Sequence, residues 1–256
     1  MPMPMPTPPE DRAVRTLSDA LDGARARLPE DGSDPTVPVA GTLLPLRDGA
    51  DGLEVLMLER PDRGSFAGAW VFPGGKIEPG DRDSSPDDAD AEENTARRAA
   101  VRETHEECGL VVDPGGLVTL SCWDPPPGLK LRIRTWFFVA PDPGGALVLA
   151  PDEVETAEWV RPAEMLARHG RGEATLYPPT WVTLHGLAQH PDVESVLGAA
   201  RIAGVERFET VARRGGEGPM LLWQGDAAYE ADADAEAEGA RHRLEIGALP
   251  WRYLRD

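Results

Sequence analysis

The sequence predicts an α/β protein of mixed (α+β) character, with a mixed β-sheet and helices packed against it. Three observations carry this. Residues 36–46 (TVPVAGTLLPL) and 53–59 (LEVLMLE) are apolar runs joined by Asp48-Gly49-Ala50-Asp51-Gly52, the pattern of a paired strand unit. Residues 131–139 alternate as Leu131, Ile133, Thr135, Phe137 and Val139, the period of a strand. Between them, residues 92–108 place Ala96, Ala100, Val101, Thr104 and Cys108 at helical spacing, a small apolar face suited to lie on a sheet.

The elements follow in order. Residues 1–9 (MPMPMPTPP) read as a disordered tail. Residues 10–28 have helical spacing at Val14, Leu17, Leu21, Ala24 and Leu28, and a turn-rich linker runs on through residue 35. The strand pair leads through Val71-Phe72 into a Gly74-Gly75 turn, and residues 82–91 are a polar surface loop before the helix. Beyond it, 117–122, 131–139, 145–149 and 157–160 are expected strands, and 162–169 a helix opened by Pro162. Two further helical segments lie within 178–203, followed by apolar stretches at 205–211, 219–223 and 241–246. The domain reading is 36–172 as one catalytic unit and 173–256 as an extension packed on it. Pro178-Pro179 opens a helix whose Trp181, Val182, Leu184 and Leu187 need a partner.

Composition narrows the function. At 256 residues the chain can bury a sizeable core. The net charge of −19 argues against nucleic acid and anionic membrane as partners. Residues 81–93 carry seven acids against one arginine, and 226–238 carry six acids and no base, so the remaining charge is ordinary for a globular protein. Two cysteines, Cys108 and Cys122, stand in no metal or redox spacing and imply no disulfide framework. With no apolar leader and no long apolar span, the expected location is the cytoplasm.

The chemistry concentrates in FPGGKIEPGD (Phe72–Asp81) and AAVRETHEECGL (Ala99–Leu110). On a helix ending at Gly109, Glu103, Glu106 and Glu107 share one face, where like charges at i,i+4 repel by about 0.2–0.5 kcal/mol per pair. A hard divalent cation reverses that sign, because Mg²⁺ takes carboxylate oxygens and keeps its other positions for water and phosphate. Alone, such a cluster is ordinarily a solvated face. The glycine loop before it, the Arg102-Glu103 start and the Gly109 stop point elsewhere.

These two pieces resemble the Nudix box of metal-dependent hydrolases of nucleoside diphosphates linked to another moiety. The family pattern starts at Gly75, has Asp81 where glutamate is usual, and resumes at Arg102, Glu103, Thr104, His105, Glu106, Glu107, Cys108, Gly109 and Leu110. Thr104 replaces a larger aliphatic residue, and 20 residues separate Asp81 from Arg102 where the family has seven. That insertion leaves Asp81's part open. GAWVFPGG, RIRTWFFVA, the Trp of AEWVRPAEML, and LYPPTWVTL resemble the acyl-coenzyme A diphosphatase branch, which has a lengthened box. Arg60 and Arg63 stand near the position of that branch's arginine motif at a different spacing.

The resemblance implies an α/β/α Nudix sandwich with a C-terminal extension. It implies Mg²⁺ or Mn²⁺ held by Glu103, Glu106, Glu107 and the main-chain carbonyl near Gly74-Gly75, with Glu106, Glu107, Arg102 and Glu153 in the catalytic set. Arg102 would orient a glutamate, and Glu153, ahead of Glu155, would be the carboxylate from beyond the box. His105 is a further candidate beside the glutamates; Trp123 and Trp136 could stack on an adenine, although aromatic residues in strands are usually core. His242 stands near no motif. The implied substrate is a small nucleotide-diphosphate molecule, best read as coenzyme A or its acyl esters, and a homodimer is compatible with the sequence. The alternatives are an ADP-ribose or dinucleotide pyrophosphatase and a non-catalytic Nudix ligand sensor.

Overall fold

The computed structural model describes residues 21, 23–64, 66–82, 91–230, 234–235 and 237–256. The tail at 1–9, most of the expected N-terminal helix, and residues 83–90 of the loop before the long helix lie outside the described residues.

Twelve strands and four α-helices are described: β1 (Val39–Gly49), β2 (Gly52–Glu59), β3 (Trp70–Val71), β4 (Gly74–Lys76), α1 (Ala91–Cys108), β5 (Val118–Asp124), β6 (Arg134–Pro141), β7 (Thr156–Val160), α2 (Pro162–Gly170), α3 (Pro178–Leu187), α4 (Val193–Ala203), β8 (Glu206–Glu209), β9 (Val211–Gly215), β10 (Gly218–Leu222), β11 (His242–Glu245) and β12 (Arg252–Arg255). An eight-stranded mixed sheet runs β3-β2-β1-β6-β5-β8, with β4 on β1 and β7 on β2. The β1–β6 and β5–β8 pairs are parallel and the rest antiparallel. A second sheet of four antiparallel strands runs β12-β11-β10-β9.

The continuous apolar runs of β1, β2 and β6 have a direct explanation. A strand covered on both faces has no solvent side on which to place polar residues. Leu43, Leu56, Leu58 and Phe138 face α1, where they meet Ala96, Ala100 and Cys108. Their neighbours Leu44, Leu46, Val55, Met57, Phe137 and Val139 face the other way, into a cluster with Trp181, Leu184, Val196 and Leu197 of α3 and α4. The result is the three-layer α/β/α sandwich. Each such large side chain contributes about 1.5–3 kcal/mol on burial. The α1 layer sits close to the sheet, since a Cβ at Gly41 would collide with the Ala96 carbonyl. Thr104, buried completely, spends its hydroxyl on the Ala100 carbonyl at 2.7 Å, so the family's aliphatic position accepts it without an orphan donor.

Two expectations change. Residues 145–149 form no strand; the Val148 and Ala150 amides cap α1 instead, donating to Cys108 and Glu107 carbonyls at 3.0 Å each. Residues 23–28 are not helical, because the Arg25 amide bonds to the Pro127 carbonyl at 2.9 Å and a 3₁₀ turn follows at Pro29–Ser33. The stretch at 205–211 divides between two strands. β8 joins the main sheet beside β5, and β9 turns away into the second sheet.

Candidate active site

Four segments meet at the C-terminal half of α1. Gly109, with φ +76°, ends the helix in a conformation that glycine adopts without strain, and its amide still bonds to His105. The terminal carbonyls then hold residues 148–150. That fixes the turn at 151–153, where the Glu153 and Val154 amides donate to the Ala150 carbonyl at 3.0 and 2.9 Å. One carboxylate oxygen each from Glu103, Glu107 and Glu153 thereby comes within 4.8 Å of the other two.

The three carboxylates differ in surroundings. Glu107 is 2% exposed. Its Oε2 accepts the Gly74 amide at 2.9 Å, and its Oε1 faces the Arg60 guanidinium at 3.5 Å. Burial pushes its pKa up to about 7 against those two stabilising partners, with the charges of Glu103 and Glu153 adding to the rise. Burial also raises the Glu103 pKa, opposed by Arg102 and reinforced by Glu106 and Glu153. Glu153 is exposed. Gly75 is dictated by this crowding: a Cβ there would overlap the Glu103 carboxylate.

Arg102 is fully occupied. Its Nε and Nη2 grip Asp81 at 3.1 and 2.9 Å, its Nη1 donates to both Glu103 and Glu106 at 2.9 Å, and Nη2 also reaches the Lys76 carbonyl at 3.1 Å. Asp81 is 5% exposed and takes the Glu78 amide as well. The long insertion therefore leaves the Asp81–Arg102 pair intact, and Arg102 sets the orientation of two glutamates. Glu106 shares the helix face, but its more exposed carboxylate is turned to Arg102 and lies outside the close group of three.

The other candidates fall elsewhere. The Glu155 amide bonds to the Glu59 carbonyl, and the Glu155 carboxylate adds to a rise in the Glu59 pKa that burial begins. His105 is exposed on α1. His242 belongs to the second sheet, its ring between the Gln224 carbonyl and the Tyr253 hydroxyl. The two tryptophans take the core reading: Trp123 is buried and stacked on Phe208 at 3.7 Å, and Trp136 is buried with its Nε1 on Glu92. Neither face is open to a base. At Gly74 the amide donates to the Glu107 carboxylate.

Of the two arginines near the motif position, Arg60 lies beside Glu107. It directly follows β2, and its Nε is buried without a partner. Its nearness to the branch's arginine motif was the available signal.

The donor set is three hard carboxylate oxygens, two of them on carboxyls whose pKa burial raises, with one side open to solvent. That fits an oxygen-loving divalent cation. The NUDIX domain family matches residues 37–179, more than half of the chain. The chain belongs to the Nudix hydrolase family. It is 31% identical over 120 residues to a CTP pyrophosphohydrolase of Escherichia coli K12, an alignment spanning 47% of this chain and 73% of that protein. A solved Nudix hydrolase from Alicyclobacillus acidocaldarius matches with a TM-score of 0.56 and 25% identity, covering 63% of this chain and 96% of the other. Enzymes of this Nudix family generally use divalent metal ions and act on small nucleoside diphosphate derivatives. No helix among the described residues is long and apolar enough to cross a membrane.

Proposed function

We propose that this Nudix hydrolase cleaves the diphosphate bond of a nucleotide conjugate with Mg²⁺ or Mn²⁺, and that coenzyme A or an acyl-coenzyme A is the conjugate. The observation that carries the reaction is the convergence of Glu103, Glu107 and Glu153 within 4.8 Å. These three would hold the cation, with Glu106 beside them on the same helix face. Bound there, it supplies charge neutralisation at the diphosphate oxygens and a more acidic water.

The chain's own groups do the rest. The Gly74 amide keeps Glu107 oriented, and the Asp81–Arg102 pair keeps Glu103 and Glu106 oriented. Glu153, exposed on a turn pinned to the helix end, is placed to accept a proton from attacking water. Arg60, with its guanidinium 3.5 Å from the Glu107 carboxylate, would hold a phosphate oxygen.

The coenzyme A reading rests on the lengthened box and on GAWVFPGG and LYPPTWVTL. A second reading, hydrolysis of a pyrimidine nucleoside triphosphate, is favoured by the likeness to the CTP pyrophosphohydrolase. Mass spectrometry of products from coenzyme A, acyl-coenzyme A, ADP-ribose, NADH, GDP-mannose, dATP and CTP separates them. The expected products are a 3′,5′-phosphorylated adenosine and a phosphopantetheine species. Release of CMP as the preferred reaction establishes the second reading. No turnover of any substrate with either metal leaves a ligand sensor.

A further inference from the structure

Glu153 is the exposed member of the group of three carboxylates, and it stands on a turn rather than on α1. One oxygen of each carboxylate lies within 4.8 Å of the other two, so without a cation their charges repel. A long side chain on a loose turn would swing away into solvent, where it also keeps its rotamer freedom. The backbone beneath it therefore has to be held.

Two bonds hold it, one on each side. The Glu155 amide donates to the Glu59 carbonyl at 2.8 Å, where β7 starts to pair with the end of β2. On the other side, Arg63 Nη2 donates to the Asp152 carbonyl at 2.8 Å. Both partners come from residues 59–63, so one stretch of chain brackets Glu153. That stretch is itself fixed. The Arg60 amide donates to the Ala69 carbonyl at 3.0 Å, the Gly68 amide to the Arg60 carbonyl at 3.2 Å, and the Trp70 amide to the Thr175 carbonyl at 2.9 Å.

The bond from Arg63 has a particular consequence. The Asp152 carbonyl and the Glu153 amide belong to one planar trans peptide unit and point to opposite sides of the chain. The carbonyl accepts from Arg63, and the amide donates to the Ala150 carbonyl at 3.0 Å. Rotating that plane breaks both bonds, so the direction in which the chain enters Glu153 is set from both ends. The neighbouring ion pair matters less. Arg63 Nη2 lies 3.6 Å from the Asp152 carboxylate, both side chains are exposed, and solvent screens them. The charge-assisted bond to the carbonyl is shorter and directional.

We propose that Arg63 is a positioning residue that keeps Glu153 within the metal-binding group, and that it touches neither metal nor phosphate. This rests on the reading of Glu103, Glu107 and Glu153 as the cation site.

The test uses the full chain and starts without substrate, with Mn²⁺ titrated by electron paramagnetic resonance. Glu153→Gln should weaken Mn²⁺. Arg63→Met removes the donors and keeps the side-chain length; it should weaken Mn²⁺ about tenfold, the low end for groups that support metal ligands from behind. Arg63→Lys keeps a donor and should recover most of that loss. Asp152→Asn keeps the carbonyl and should match the parent. Arg63→Met added to Glu153→Gln should cost nothing more, and Arg63→Met should melt with the parent in EDTA. With the substrate that the panel above identifies, Arg63→Met should lower kcat at saturating Mg²⁺ and leave KM unchanged. Parent affinity in Glu153→Gln overturns the cation site and this proposal with it. A loss in Glu153→Gln without one in Arg63→Met overturns this proposal alone. So do additive losses in the double variant, or a raised KM with unchanged Mn²⁺ affinity, which would place Arg63 on the substrate.

Discussion

Replacing Glu107 by glutamine should abolish turnover and, without metal, make the protein more stable. Glu107 sits at 2% exposure with a pKa near 7, against an ordinary value of 4.5. Between those two values the folded protein retains a proton that the unfolded chain has released. Metal-free stability therefore falls as pH rises through this window, and the loss is complete above it. The gap corresponds to about 3 kcal/mol. Glutamine resembles the protonated acid: its carbonyl still accepts the Gly74 amide, and it carries no charge to bury. In EDTA at pH 8, Glu107→Gln should thus melt roughly 6–12 °C above the parent, since a chain of this size shifts about 2–4 °C per kcal/mol. At pH 4.5 the two should melt together. Saturating Mg²⁺ should raise the parent and leave the variant where it was, while kcat falls by several orders of magnitude. Scanning calorimetry over pH 4.5–8 with and without metal reads all of this. A variant that melts below the parent in EDTA at pH 8 would refute the electrostatic reasoning, and one that turns over normally would refute the site.

Four other outcomes are expected. Asp81→Asn removes the buried half of the Arg102 pair; it should cost about 2 kcal/mol in a denaturant melt and lower kcat more than it raises KM, because Glu103 and Glu106 lose their guide. Trp123→Ala should cost about 3–5 kcal/mol with KM unchanged, since the ring packs on Phe208; a raised KM at full stability would return Trp123 to substrate binding. Deleting 83–90 should change stability by less than about 1 kcal/mol and keep metal-dependent activity, and loss of metal binding would show that Asp87, Asp88 or Asp90 supplies ligands. A chain ended at residue 172 loses β8 and the Trp181–Leu187 face, and should aggregate or change its substrate preference; an equally stable, equally selective fragment would make the C-terminal part an independent module.

The parts of the site that the sequence made legible are local ones. Glu103, Glu106 and Glu107 share a helix face by spacing alone, and the glycines before them are needed wherever backbone crowds a carboxylate. What the sequence could not show is which of the three would be desolvated. Glu107 is buried and Glu106 is not because α1 lies on β4, where the Gly74 amide meets one and Arg102 draws the other outward. The tryptophans left two readings open for a related reason. An aromatic residue in a strand has the same local pattern whether a substrate or a second strand covers it, and here Phe208, arriving 85 residues later, covers Trp123. The 145–149 stretch is apolar enough for a strand, but its amides are taken by the end of α1.

The C-terminal part shows how far pairing partners escape a linear reading. β8 is four residues long, and its sequence, Glu206–Glu209, has little apolar content to announce a strand. It forms because β5 presents an open edge and runs parallel to it, and Phe208 then supplies the ring that seals Trp123. Immediately after, Val211–Gly215 turns into a hairpin with β10, so the chain leaves one sheet and starts another within two residues. One buried cluster contains Leu44 and Phe137 of the first sheet together with Leu221, Leu244 and Trp251 of the second region. Trp70 donates to the Thr175 carbonyl at 2.9 Å, which ties the arm that carries Arg60 to the residues leading into α3. A change in the extension can therefore reach Arg60 and the Glu107 carboxylate through a short bonded path. Substrate selectivity and stability should accordingly shift together when this contact is cut.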